Sequence, residues 1–216
     1  TLVNILTMQG KKLIGKNELK AAEKFLANLD DDWNNLISQI GPCTIKISTA
    51  YEPYQALIKS VIFQQLNPKA GNTIFQRFLN IFQDQFPNAK QILSLDANSL
   101  QACGLSRNKL FCITRIADLH VAGKIPDKFH IHKMSDLEIR NTLQPIKGIG
   151  PWTVNMLLIF NLGRCNIMPS NDLALRINYS KLKGLNSKIK ASKLEVASKK
   201  WQPYRSIAAW YLWQMR

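Results

Sequence analysis

The residues with the clearest chemical potential form one short stretch, Gly-Ile-Gly-Pro-Trp-Thr-Val-Asn, residues 148–155. Gly148 and Gly150 can reach positive φ and bring backbone N–H groups close to another surface. Pro151 suits the first position of a helix, and a helix N-terminus adds unpaired N–H groups and partial positive charge. Together these would hold an anion such as a phosphate, with Thr153 adding a hydroxyl. An ordinary helical hairpin, whose glycines serve only the turn, fits the same eight residues. A carboxylate follows in Pro-Ser-Asn-Asp-Leu-Ala-Leu-Arg (169–176). Taken alone, Asp172 there reads as the cap of a helix.

An anion site suits the charge of the chain. Its 216 residues carry 29 Lys and Arg against 14 Asp and Glu, a formal +15. That is the electrostatic footprint of a nucleic-acid binder, although a solvated basic surface or an anionic membrane partner would share it. The excess is uneven: residues 180–200 hold seven lysines and one acid, Glu195. Apolar content of 46% and charged content of 20% are those of a globular chain. No apolar run approaches 18 residues and the start lacks a signal-peptide layout, so a soluble protein without a membrane role is expected. Cys43, Cys103, Cys112 and Cys165 are scattered, with no Cys-x-x-Cys pair. Their spacing argues against zinc or iron–sulfur ligation and for buried thiols in a reducing compartment.

Helical spacing dominates the elements that must position these residues. Leu19, Ala22, Phe25, Leu26 and Leu29 form one apolar stripe, and the acids at 30–32 suit the start of the next helix. Further helices are expected over 53–66, 68–86, 94–105 and 106–123, with Pro126 in a loop. Ser135 and Glu138 form a capping box for a helix over 135–143, and another runs from Pro151 to about Leu162. Two more close the chain, giving about ten; 41–50 alone looks strand-like and is too short for a sheet. The expected fold is all-α with two packed lobes. Residues 17–50 with the C-terminal helices would form one, residues 51–135 the other, and 135–162 a helix–hairpin–helix. Residues 1–16 read as a frayed terminus.

The stretches Ile146–Arg164 and Met168–Arg176 resemble the helix–hairpin–helix DNA glycosylase superfamily, and within it the 3-methyladenine DNA glycosylase II family. The blocks 56–71 and 104–119 extend the likeness to about residues 51–215. The resemblance implies an all-α bilobed fold with its active site in the interlobe cleft. Its implied activity is base-excision repair: a damaged base is flipped out of duplex DNA and its N-glycosidic bond hydrolysed.

On that likeness Asp172, 22 positions after Gly150, matches the catalytic aspartate. Gly148, Gly150 and Thr153 match the phosphate-holding hairpin, with Lys147 beside it. Leu66 matches the wedge that fills the flipped base's gap; Gln65 beside it reads equally as a DNA contact or a cap. Trp152 and Trp213 match base-pocket aromatics, while Trp201 and Trp210 read as core. Relatives often hold a monovalent cation (Na+ or K+) at the hairpin through main-chain carbonyls; no other cofactor or metal is implied. Met156 and Leu173 stand where some relatives have tyrosine, and the extra N-terminal β-domain of some bacterial relatives has no counterpart.

Glycosidic cleavage leaves positive charge on the sugar, which a carboxylate about 4 Å away would stabilise by roughly 4 kcal/mol. A second carboxylate usually protonates the leaving group, and none stands near Asp172 in the sequence. Alkylated purines already carry positive charge and leave without it, and the Trp152 indole suits such a cation. Strand-cutting relatives carry a lysine where this chain has Trp152, so a monofunctional glycosylase acting on alkylated duplex DNA is expected. The alternatives are a non-catalytic DNA-binding protein built on the same hairpin, or a glycosylase for oxidised or mismatched bases. A monomer in a bacterial cytoplasm or a nucleus completes the expectation.

Overall fold

The computed structural model describes residues 12–215. Those residues are mostly helical, with thirteen α-helices and no strand beyond one antiparallel bridge, Leu13 to Arg164. They divide into two compact units. One comprises the described residues up to Ser48 and from Leu158 onward; the other is Thr49–Leu157.

The Thr49–Leu157 unit holds eight helices: α3 (Pro53–Phe63), α4 (Pro68–Asn80), α5 (Ala89–Ser94), α6 (Ala97–Ala102), α7 (Arg107–Val121), α8 (Lys128–Lys133), α9 (Asp136–Leu143) and α10 (Pro151–Met156). Helix α3 is buried along most of its length and packs on α4, α7 and α10, because seven of its eleven residues are covered. Helices α9 and α10 are the arms of the expected hairpin. The capping box forms as read: Glu138 N–H donates to Ser135 Oγ (3.2 Å) and Ser135 N–H to Glu138 Oε2 (2.6 Å). Arg140 of α9 donates to Asn155 Oδ1 of α10 at 2.7 Å, which fixes the two arms together.

The other unit holds α1 (Lys16–Ala27), α2 (Asp31–Ile40), α11 (Leu173–Leu182), α12 (Ala191–Ala197) and α13 (Arg205–Gln214). Asp30 caps α2 by accepting from Trp33 N–H, and Lys183 bridges Asp30 and Asp32 at 2.7 Å each. One of the seven lysines of 180–200 is therefore spent inside the fold. Helix α11 packs on α13, pinned by a buried bond from Asn178 Nδ2 to the Leu212 carbonyl (2.7 Å). Trp201 and Trp210 are buried, as expected of core aromatics.

Three expectations are corrected, and one unforeseen helix is added. The helix expected over 68–86 stops at Asn80, and Gln83 and Asp84 then take φ of 55° and 60°. A six-residue helix, α8, follows Pro126, capped by Asp127. The helix from Pro151 is α-helical only to Met156 and continues as a π-turn over Leu157–Asn161. Lys12–Ile14 are tied to Gly163–Cys165 by Ile14 N–H to the Gly163 carbonyl and Cys165 N–H to the Lys12 carbonyl. The rest of the expected frayed terminus lies outside the described residues.

Candidate DNA-processing site

Within the Thr49–Leu157 unit, the hairpin Leu143–Pro151 is tighter than two flexible glycines would suggest. Gly148 has φ 94°, and a Cβ there would lie 2.6 Å from Cys112 Sγ and 2.8 Å from Cys112 Cβ. Cys112 is 2% exposed, and burial pushes its thiol pKa up to about 11. It therefore stays protonated and acts as a small apolar support. Gly148 is needed for its conformation and for its space.

Gly150 differs. Its φ is −87°, so it does not use the left-handed region expected of it, and a Cβ there would meet nothing within 4 Å. It forms the N-cap of α10 with no side chain over the first N–H groups. Lys147 is exposed nearby, its Nζ 5.3 Å from the Phe111 ring centroid. Trp152 follows Pro151 in the first turn of α10 and is half-buried.

Thr153 departs from expectation. It is 1% exposed, and its Oγ1 accepts a hydrogen bond from Gln64 Nε2 at 2.7 Å. Helix α10 is buried on all sides from Thr153 to Met156, so the hydroxyl is turned into the fold. Thr153 supports the hairpin from beneath. The same Gln64 amide donates to the Gly148 carbonyl at 3.0 Å. Sequence reading missed Gln64, which is 84 and 89 residues from its two partners.

Gln64 ends α3 with φ −52°, ψ 131°, and begins the turn to α4. Gln65 follows with φ 57°, a left-handed conformation that costs a residue with a Cβ about 1 kcal/mol or more. Leu66 comes next, its N–H bonded to the Phe63 carbonyl at 3.2 Å. Asn67 then caps α4, with Pro68 at its first position. The structure thus brings Leu66, Gln65, Gly148 and Thr153 together around Gln64.

Within the other unit, Asp172 and Trp213 meet. Asp172 caps α11: its Oδ1 accepts from Leu175 N–H at 3.0 Å and from Trp213 Nε1 at 3.3 Å. The Trp213 ring lies 5.7 Å from the Phe160 ring at 33°. The capping reading of Asp172 is therefore correct as structure. It does not compete with chemistry, because two donors on one oxygen fix the orientation of the carboxylate.

Among the described residues, no group of three or more His, Cys, Asp or Glu comes together to bind a metal ion. The four cysteines are free and buried. No helix of the described residues is long and apolar enough to cross a membrane.

A profile described as HhH-GPD superfamily base excision DNA repair protein matches residues 58–203, spanning the Gln64 turn, the hairpin and Asp172. The chain belongs to the HhH-GPD superfamily. Among its curated relatives, the alkylbase DNA glycosidase-like protein mag2 of Schizosaccharomyces pombe is 38% identical, over 92% of this chain and 94% of that protein. DNA-3-methyladenine glycosylase 1 of the same yeast is 39% identical, over 91% of this chain and 87% of that protein. Among solved HhH-GPD structures, the 3-methyladenine DNA glycosylase of S. pombe bound to abasic DNA matches with a TM-score of 0.85 at 39% identity. That match covers 90% of this chain and 95% of the other.

Proposed function

We propose that this chain is a monofunctional DNA glycosylase that removes alkylated purines from duplex DNA, with Asp172 as its catalytic carboxylate. The observation that carries the reading is the Asp172 carboxylate itself. It is fixed through Oδ1 by Leu175 and Trp213, in a chain whose 3-methyladenine glycosylase relative aligns over 91% of its length.

Substrate binding starts at the hairpin. Gly150 leaves the first turn of α10 uncovered, and its N–H groups receive a backbone phosphate. The Gly148 carbonyl is a hard oxygen of the kind that suits a monovalent cation. This carbonyl, which keeps a second lone pair beside its bond to Gln64, would be one ligand of Na+ or K+ there. A cation held there would supply positive charge beside the phosphate. Lys147 adds a further, sequence-independent contact. Lys147→Ala should weaken binding to damaged and undamaged duplex alike and lower the log–log salt slope by about 1, measured by fluorescence anisotropy across salt.

Leu66, lifted by the left-handed Gln65, fills the gap left by the flipped nucleotide. Unstacking costs a few kcal/mol, least for a damaged base. Trp213, bonded to Asp172, offers an electron-rich face to the cationic base, worth about 0.5–2 kcal/mol. As the glycosidic bond breaks, Asp172 stabilises the oxocarbenium-like sugar and orients the attacking water. The base leaves with the bonding electrons that neutralise its charge. Trp213→Phe keeps a ring but loses the Nε1 donor to Oδ1. A hydrogen bond to a charged group is worth about 1.5 kcal/mol, so single-turnover excision should slow about tenfold.

With tryptophan at 152, no amine is offered at that position for a Schiff base. The test is incubation with methylated duplex DNA. Strands should break only after alkali, and borohydride should trap no covalent complex. Strand cleavage without alkali, or a trapped adduct, would refute the monofunctional reading. The substrate assigns the protein to the compartment that holds DNA, a bacterial cytoplasm or a nucleus, and it works as a monomer.

A further inference from the structure

The wedge turn and the hairpin belong to different parts of the sequence, yet one side chain spends both of its amide protons joining them. Gln64 Nε2 donates to the Gly148 carbonyl (3.0 Å) and to Thr153 Oγ1 (2.7 Å). One bond is to the turn of the hairpin, the other to the helix that follows it. Two residues further on stands Leu66, reached through the left-handed Gln65. The backbone between anchor and wedge is therefore short and conformationally fixed.

Helix α7 backs this junction on both sides. Lys109 Nζ donates to the Ile62 carbonyl at 2.8 Å, in the last turn of α3 before Gln64. Cys112, three residues later and so on the same face of α7, fills the space directly against Gly148. Wedge turn, hairpin and α7 thus meet in one joint, held by donors of fixed length and by a close van der Waals contact.

We propose that Gln64 is a positioning residue that couples the phosphate grip of the hairpin to insertion of the Leu66 wedge. This rests on the assignment of the hairpin to phosphate and of Leu66 to the gap. Because the Gly148 carbonyl and the wedge turn share one amide, the grip on the backbone fixes the depth and direction of Leu66. The energy of holding the phosphate then supports the open, base-flipped duplex and not only the undistorted one. An unlinked hairpin would grip either form equally.

The test is Gln64→Met, which keeps the length and most of the volume and removes both donors. Three quantities are read: affinity for undamaged duplex, affinity for the same duplex with an abasic-site analogue, and fluorescence of 2-aminopurine beside that site, which reports unstacking. Two lost neutral hydrogen bonds correspond to about a tenfold change in an equilibrium. Affinity for the abasic duplex should fall about tenfold, with a smaller fluorescence rise at saturation. Affinity for undamaged duplex should stay within about twofold. If Gln64→Met does not fold, as judged by its melting transition, Thr153→Val removes one bond and should give about a threefold fall in the same ratio.

Equal loss on both duplexes would mean that Gln64 only props the hairpin, and would overturn the coupling. An unchanged ratio would overturn it as well. If the wild-type protein itself bound both duplexes equally and left 2-aminopurine quenched, the wedge assignment would fail first and the coupling with it.

Discussion

Asp172→Asn is expected to slow base release about a thousandfold while leaving affinity for abasic duplex within a few fold. The substitution isolates the charge. The amide side chain would keep an oxygen at the Oδ1 position to accept from Leu175 N–H and Trp213 Nε1, and asparagine is as good a helix cap as aspartate. Helix α11 and its packing on α13 are therefore preserved. What is lost is a negative charge near the sugar, worth roughly 4 kcal/mol at 4 Å and an effective dielectric of 20. That is about three decades in rate. Single-turnover excision measures it, with a melting curve to verify folding. A variant that melts normally and retains more than about a tenth of the rate would remove Asp172 from the chemistry.

The second large effect falls on stability. Gly148→Ala should destabilise the protein by about 3 kcal/mol. Placing an alanine at φ 94° costs about 1 kcal/mol or more. A methyl group 2.6 Å from Cys112 Sγ and 2.8 Å from its Cβ adds the roughly 1–3 kcal/mol typical of overpacking, because Cys112 is enclosed and has nowhere to move. In a chain of this size each kcal/mol lowers the melting temperature by about 2–4 °C, so a fall of about 9 °C is expected by calorimetry. Gly150→Ser is the contrast. Its φ is ordinary, its Cβ would meet nothing, and serine is a good cap, so the melting temperature should stay within about 2 °C. Equal falls for the two variants would contradict the distinct roles given to these glycines.

The features legible from sequence are those carried by local rules. Capping at Ser135 and Glu138, helix starts at Pro68 and Pro151, and the stripes of α1 and α3 each follow from neighbours three or four residues apart. The hairpin was legible because glycine, glycine and proline at that spacing have few other uses. Asp172 presented two readings, cap and catalyst, and the geometry shows why neither excluded the other. The features that were not legible depend on distant partners. The inward turn of Thr153 follows from burial of α10 on all sides, which a six-residue helix does not reveal by periodicity. The role of Gln64 depends on acceptors 84 and 89 residues away. Helix α4 ends without glycine or proline, its exit made by Gln83 and Asp84 in left-handed conformations. Helix α8 is too short for a period, although Asp127, three residues before His130, is the cap that announces it.

The central claim is that this HhH-GPD chain performs chemistry on alkylated bases and does not merely hold DNA. Chromatography of the free bases released from methylated duplex DNA tests it most directly. The predicted result is release of 3-methyladenine or 7-methylguanine by the wild-type protein, with the deoxyribose backbone left intact. Salt-sensitive binding of that DNA with no base released would contradict it, and would make the hairpin a grip without a catalytic partner.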